Sequence, residues 1–466
     1  MTFDQPLESI ARNLRSGALR AEALADRAIA AHEGAGATLN AYKTWDGGRA
    51  RAQAQAIDML LASGRDCGPL MGIPVSVKDL FGVPGLPVFA GTDTAFPEAL
   101  SAAGPLVSRL LGQLAVVTGK THTVEFAFGG LGVNAHWGTP LNPWSGKDGA
   151  RVPGGSSSGA AVSLAEGSAL LALGTDTAGS VRVPAAFCGQ TALKTTFGRW
   201  ENDGIVPLSQ SLDTPGLLAR SVADLAWGFA ALDPRAPGVT QPRDLSGLRI
   251  GVPENFFREG DAAILARVDE TLHELERAGA VLVRLNLPGC DEVFDIFRQG
   301  GLAAPELRAW IDRHCPERID RLDPVVRLRV AGADAISAPE YLRRREELRL
   351  RGLAAREVFA QCDVLASPTV AIAPPRLADI ADPADYAHAN MMALRNTVIA
   401  NLFGWCALSL PAGADAQGLP VGLQLIAPPF AEPALLAAGR AIEGRIGTGA
   451  ELLGPPPIQT SPIQSS

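Results

Sequence analysis

Lysine is scarce in this chain of 466 residues: of 41 Lys and Arg residues only five are lysine, at positions 43, 78, 120, 147 and 194. Arginine stays protonated inside a protein, whereas a buried lysine can give up its proton, so each lysine is worth inspecting as a base. Lys43 and Lys147 read as surface charges. Cysteine is sparse too. The six, at 67, 188, 290, 315, 362 and 406, fall singly, without the close pairs of a zinc site or a redox motif. None of the six histidines sits in an H-E-x-x-H or similar ligand pair, so neither a metal nor a cofactor is expected. No apolar run reaches membrane-spanning length, and Met1 to Gly17 carries acidic residues where a secretion signal needs an apolar segment. A cytoplasmic location and no membrane partner are expected. Excess positive charge is also missing. The formal net charge of -8 argues against a protein whose main work is gripping nucleic acid.

What is present is apolar material for a large core, 47% of residues against 19% charged. Apolar residues at helical spacing predict an outer layer of helices over 7–16, 20–34 and 49–61. Gly72 to Leu80 reads as a strand-like run ending on Lys78 and Asp79, and 105–114 as a short helix feeding a strand at 115–118. Gly119-Lys120-Thr121 hints at a phosphate loop, but position 114 is Leu where that loop needs Gly. The Gly- and aromatic-rich loop from Glu125 to Pro140 suits a pocket wall or a packed connector equally. A helix is expected over 221–232, a Pro- and Gly-rich seam over 233–245, and a strand-helix-strand alternation over 248–285. Residues 305–360 read as helical, and further strands are expected at 364–366, 407–410 and 421–426. Residues after Gly454 read as a loosely held tail.

The densest chemistry lies between Arg151 and Gly189. Two turns, Gly154-Gly155-Ser156-Ser157-Ser158-Gly159 and Thr177-Ala178-Gly179-Ser180, bracket a helix predicted from Ser157 to Glu166, opened by a hydroxyl cap, and a strand predicted from Ala169 to Leu173. Glycine lets backbone N–H groups approach a ligand, and serine supplies an oxygen nucleophile. Lys78, at a strand end, either pairs with a carboxylate such as Asp79 or loses its proton to burial. Gly155 to Gly159 also fits G-x-S-x-G, with Ser157 as an α/β-hydrolase nucleophile. That elbow should follow a strand, yet residues 149–153 are turn-like.

Together with Gly174-Thr175-Asp176-Thr177-Ala178-Gly179-Ser180-Val181-Arg182 and the run on to Gly189, and with Ser211-Leu212-Asp213-Thr214-Pro215-Gly216, these pieces resemble the amidase signature family. The match is firm over about 72–232 and weaker over 418–426. It implies an α/β fold with a mixed central β-sheet flanked by helices on both faces. One amidase domain would span 1–453, with a helical pocket-shaping region at about 290–350 and a tail at 454–466. The loop from Gly129 to Trp137 and the segment from Met391 to Trp405 would help shape the pocket.

The resemblance also implies hydrolysis of a carboxamide C–N bond through an acyl-enzyme. Ser180 would be the nucleophile, Ser156, after a cis peptide bond, the bridging serine, and Lys78 the base. Backbone N–H groups of Thr177, Ala178, Gly179 and Ser180 would hold the oxyanion, with Gly129 and Gly130 also at the substrate. Arg182 is expected to pin its turn, and Arg395 to form a structural ion pair in preference to meeting a substrate carboxylate. Ser158 and Ala178 stand where the family often has Gly, and neither removes a backbone donor. The expected partner is a small-molecule amide, with a homodimer left open. A second reading is the A subunit of a tRNA-dependent amidotransferase, which shares the signature and acts inside a complex. The acidic charge, and the absence around Asp382 to Asn390 of the longer segment found in that protein, favour a free-standing amidase.

Overall fold

A computed structural model of the protein describes residues 5–457. Residues 458–466, most of the expected tail, lie outside the described residues. Its strand segments alternate large apolar residues with small or polar ones, as in Leu171-Ala172-Leu173-Gly174 and Val421-Gly422-Leu423-Gln424-Leu425. A period of two sends the two kinds to opposite faces. The result is one eleven-stranded mixed sheet. Its strands are β1 (Tyr42–Trp45), β2 (Pro74–Lys78), β3 (Val116–Thr121), β4 (Leu171–Asp176), β5 (Thr191–Lys194), β6 (Thr214–Ala219), β7 (Arg249–Pro253), β8 (Val281–Leu285), β9 (Val364–Pro368), β10 (Cys406–Ala414) and β11 (Pro420–Ala427). They lie in the order β1-β3-β2-β4-β6-β5-β10-β11-β9-β7-β8. β2 runs parallel to β3 and β4, and β7 runs parallel to β8 and β9. The remaining pairs are antiparallel.

The two faces of the sheet are built differently. On one, Val75, Val77, Leu171, Leu173, Leu408 and Leu423 join a core covered by the helices Leu7–Arg15, Val222–Leu232, Ala262–Arg277 and Glu432–Ile446. Each such side chain contributes about 1.5–3 kcal/mol when buried. The opposite face carries Ala172, Gly174, Ala192, Gly216 and Gly422, which let helices come close. There the helices Ser158–Glu166 and Arg182–Phe187 have every residue buried. A Cβ on Gly174 would stand 2.8 Å from Ser157 Oγ. This thin, polar face is where the chemistry-bearing turns sit.

Several elements differ from expectation for identifiable reasons. β1, β5 and β6 are unanticipated; β6 opens with Thr214-Pro215-Gly216, residues that ordinarily mark a turn. The predicted strand 169–173 runs instead from Leu171 to Asp176, which carries Thr175 to the end of β2. Gly119-Lys120-Thr121 is strand, the last half of β3. Gly167 ends its helix in the left-handed region at φ 88° as expected, but the hydroxyl cap is absent. Ser157 Oγ donates to the Thr175 carbonyl at 3.2 Å instead. No helix among the described residues is long and apolar enough to cross a membrane.

Candidate active site

Lys78 is the last residue of β2 and is fully buried. On the same strand Ser76 Oγ meets Ser163 Oγ at 2.9 Å, which sets this side of β2 under the helix Ser158–Glu166. The Lys78 ammonium donates to Ser156 Oγ and to Thr175 Oγ1, each at 2.8 Å. The alternative of a Lys78–Asp79 pair is not realised. Asp79 accepts from Lys120 Nζ on β3 at 2.9 Å and from the N–H groups of Phe89 and Ala90, both at 3.0 Å. With only hydroxyls as partners, Lys78 is pulled by burial from 10.5 down to about 7, against the opposing charges of Asp213 and Asp176.

The other lysines have structural surroundings. Lys194 donates to the carbonyls of Thr195 and Trp405 at 3.0 and 2.7 Å. Lys43 is half-buried, over the rings of Phe89 and Trp137 at 4.5 and 4.7 Å. Lys147 is exposed.

Ser156 follows a cis peptide bond from Gly155 and is fully buried. The next residue ties the two turns together, because Ser157 N–H donates to the Ser180 carbonyl at 3.0 Å. Ser157 itself is fully buried and no strand leads directly into it, so the G-x-S-x-G elbow does not form.

The Ser180 turn is held by a buried ionic network. Arg182 donates through Nε and Nη2 to both oxygens of Asp176 at 3.0 and 2.9 Å, and further to the Thr397 carbonyl, Gln424 Oε1 and Asn401 Oδ1. Burial would push Asp176 up, but Arg182 holds it down to about 2. Arg182 therefore pins the turn. Gly179 has φ 137°, and a Cβ there would lie 2.2 Å from Thr397 Oγ1, so only glycine fits. Beside it, Thr177 Oγ1 donates to Asp213 Oδ1 at 2.5 Å. The other oxygen of Asp213 accepts from the N–H groups of Leu208 and Ser209, and burial raises this carboxyl to about 6.

Ser180, Thr177 and Ala178 line a cavity of about 350 Å³. The three glycines expected at the substrate have their N–H groups engaged within the protein, Gly129 N–H donating to the Ala127 carbonyl at 3.0 Å. Gly179 N–H donates to Asp176 Oδ1 at 2.8 Å, and Gly130 N–H to Asn390 Oδ1 at 2.8 Å. Neither glycine faces the cavity, whereas Gly129 does. Phe297, Met391 and Leu394 bring the predicted pocket-shaping segments onto the wall. Past Gly129 the loop to Trp137 is a packed connector, with Trp137 against His122 and Phe89. Arg395 pairs with Glu259 at 3.2 Å, the structural role expected of it.

The sequence reading missed Thr175, Asp176, Asp213, Asn390 and Arg329. The first three lie inside motifs it quoted and carry polar side chains next to the serines. Asn390 and Arg329 carry no local signal. Among the described residues no group of three His, Cys, Asp or Glu side chains is arranged to hold a metal.

The Amidase family profile matches residues 21–436. A 2-amino-5-chloromuconic acid deaminase from Comamonas testosteroni is 60% identical over 451 residues, 96% of this chain and 97% of that protein. The A subunit of the glutamyl-tRNA(Gln) amidotransferase of Cupriavidus necator is 33% identical over 488 residues, covering 94% of this chain and 95% of that protein. A crystal structure of an amidase superposes with a TM-score of 0.84 at 30% identity, covering 95% of this chain and 100% of that one.

Proposed function

The chain belongs to the amidase family, and on that premise we propose that it breaks a C–N bond by a Lys78–Ser156–Ser180 relay and releases ammonia from a small acid. The observation that carries the reading is the 2.8 Å contact from Lys78 Nζ to Ser156 Oγ, made by a fully buried amine whose hydrogen-bond partners are hydroxyls. A serine hydroxyl is a weak nucleophile until a base takes its proton. Lys78, drawn to about 7, is substantially neutral at physiological pH and can accept that proton through Ser156.

Ser180 Oγ then adds to the sp² carbon bearing the nitrogen. Negative charge developing on the substrate faces the N–H groups of Thr177, Ala178 and Ser180, each donor worth roughly 3 kcal/mol in the transition state. The proton held by Lys78 returns through Ser156 to the departing nitrogen, and water displaces the serine oxygen. With a carboxamide the serine-bound species is an acyl-enzyme. With an amino-substituted dienoic acid reacting as its imine tautomer, the Ser180 proton converts C=NH to C–NH2, and the adjacent carbon gives up a second proton as NH3 leaves. That carbon regains a proton as water replaces the serine oxygen, so that C=NH and water become C=O and ammonia.

The relative at 60% identity acts, by its name, on an amino-dienedioic acid, and that substrate class is carried here to this chain. A cavity of about 350 Å³ suits a molecule of that size. The amidotransferase relative is about half as similar, and a free-standing enzyme is the reading favoured. Ammonia release by the isolated chain from 2-aminomuconate and from aliphatic and aromatic primary amides, with Ser180→Ala as control, tests it. Turnover of the acid that disappears in Ser180→Ala is expected. Turnover that survives in Ser180→Ala would overturn the relay.

A further inference from the structure

The cavity beside Ser180 is charged in one sense only. Of the side chains on its wall two are cationic, Arg298 and Arg329, and none is a carboxylate. Arg298 points largely to solvent and has Asp295 at 3.5 Å. Arg329 is different. It is half-buried, and among the described residues no carboxylate lies within ion-pair distance of it. A guanidinium taken partly out of water against apolar walls is costly unless a counter-charge arrives.

Its surroundings hold it ready for one. Nη1 donates to the Phe128 carbonyl, which fixes the plane of the guanidinium. The rings of Phe128 and Tyr386 stand 5.4 and 5.7 Å from its central carbon, within range of a cation–π contact. Gly129 packs closely against them: a Cβ there would lie 3.0 Å from the Tyr386 hydroxyl, 3.2 Å from Val124 Cγ1 and 3.7 Å from Arg329 Nη1. The helix Pro383–Leu394, which carries Tyr386, also supplies Asn390, whose Oδ1 anchors Gly130 N–H and which lines the same cavity as Arg329. The N–H groups of this planar fork that the Phe128 carbonyl does not take suit a planar carboxylate.

We infer that Arg329 is the residue that binds a carboxylate of the substrate, from the wall of the same cavity that Ser180 and Gly129 line. The inference rests on the reading above that the cavity takes a small acid, and it names the group that selects for acids. It also accounts for the absence of any carboxylate on the wall, because an Asp or Glu there would repel the substrate or take Arg329 for itself.

The test separates binding from reaction. Calorimetric titration of trans,trans-muconate and of its uncharged dimethyl ester into Ser180→Ala protein reads the subsite without turnover. In Ser180→Ala/Arg329→Gln, shown to be folded by its melting transition, muconate affinity should fall roughly 10- to 100-fold, the usual range for a charge-assisted hydrogen-bonding partner. The ester should bind both proteins alike. Ser180→Ala/Arg329→Lys, which keeps the charge but not the fork, should fall between. Equal muconate affinity with and without Arg329, a parallel loss of ester binding, or no muconate binding to Ser180→Ala protein would each overturn the subsite. Failure of the catalytic relay would instead appear as activity surviving in Ser180→Ala, which leaves these titrations intact.

Discussion

Two lysines on neighbouring strands, Lys78 on β2 and Lys120 on β3, are both fully buried, and only one has a carboxylate in contact. Lys120 lies 2.9 Å from Asp79 and also donates to the Pro87 carbonyl at 3.2 Å. Burial draws it down, but Asp79 opposes the pull. Lys78 precedes Asp79 in the chain and yet has only Ser156 and Thr175 hydroxyls. The two acids that act on it from farther off are committed elsewhere, Asp176 to Arg182 and Asp213 to Thr177 and two backbone N–H groups. What separates these two lysines is therefore not burial, which they share, but which of them holds the carboxylate. Lys194, also buried with no carboxylate in contact among the described residues, differs from Lys78 in donating to two carbonyls and to no hydroxyl.

The largest expected effect breaks the pair on the Lys78 side. Lys78→Met should lower the rate on the order of 10⁴-fold, since the base is lost, while leaving the fold at least as stable near neutral pH. The sign follows from proton uptake. Between about 7 and 10.5 the unfolded chain binds the Lys78 proton and the native chain does not, so wild-type stability should climb with pH across that window. Denaturant titrations at several pH values should show that slope reduced in Lys78→Met.

Lys120→Met should do the reverse. It strands Asp79 with its two backbone donors, so unfolding free energy should fall by roughly 3–5 kcal/mol, with the activity per folded molecule largely kept. Replacing Asp79 as well, as Lys120→Met/Asp79→Leu, should recover much of that loss. If Lys120→Met abolished turnover in fully folded protein, the division of labour between the two lysines would be wrong. A smaller change sharpens the same contrast. Thr175→Val removes one acceptor from the Lys78 ammonium, so the apparent pKa governing the rate should move further down, with a plateau loss of no more than about tenfold.

The residues of the proposed triad could be picked from the sequence because they sit in two short turns and at one strand end, where the local run of Gly and Ser stands out. The partners could not, because they come from far along the chain. Nothing near Asp79 says that its lysine is residue 120, reached only because β3 pairs with β2. Arg182 finds Thr397, Asn401 and Gln424, more than 200 positions on, because the chain returns as β10 and β11 beside β5. Gly130 is anchored by Asn390 across 260 positions. The expected strands are apolar runs, whereas β6 was hidden by Pro215 and Gly216, whose strand conformation is imposed by its neighbours β4 and β5. Nothing in the local run of Gly and Ser says that Asp176 and Asn390 accept from the N–H groups of Gly179 and Gly130.

The rate at which a fluorophosphonate labels the protein, followed across pH in wild type and Lys78→Met, tests the central claim without requiring the natural substrate. The adduct should map to Ser180, and labelling should speed up as pH rises through about 7, the value to which burial brings Lys78. In Lys78→Met labelling should be slow and lack that step. An adduct on Ser157, or a wild-type profile that Lys78→Met reproduces, would contradict the account.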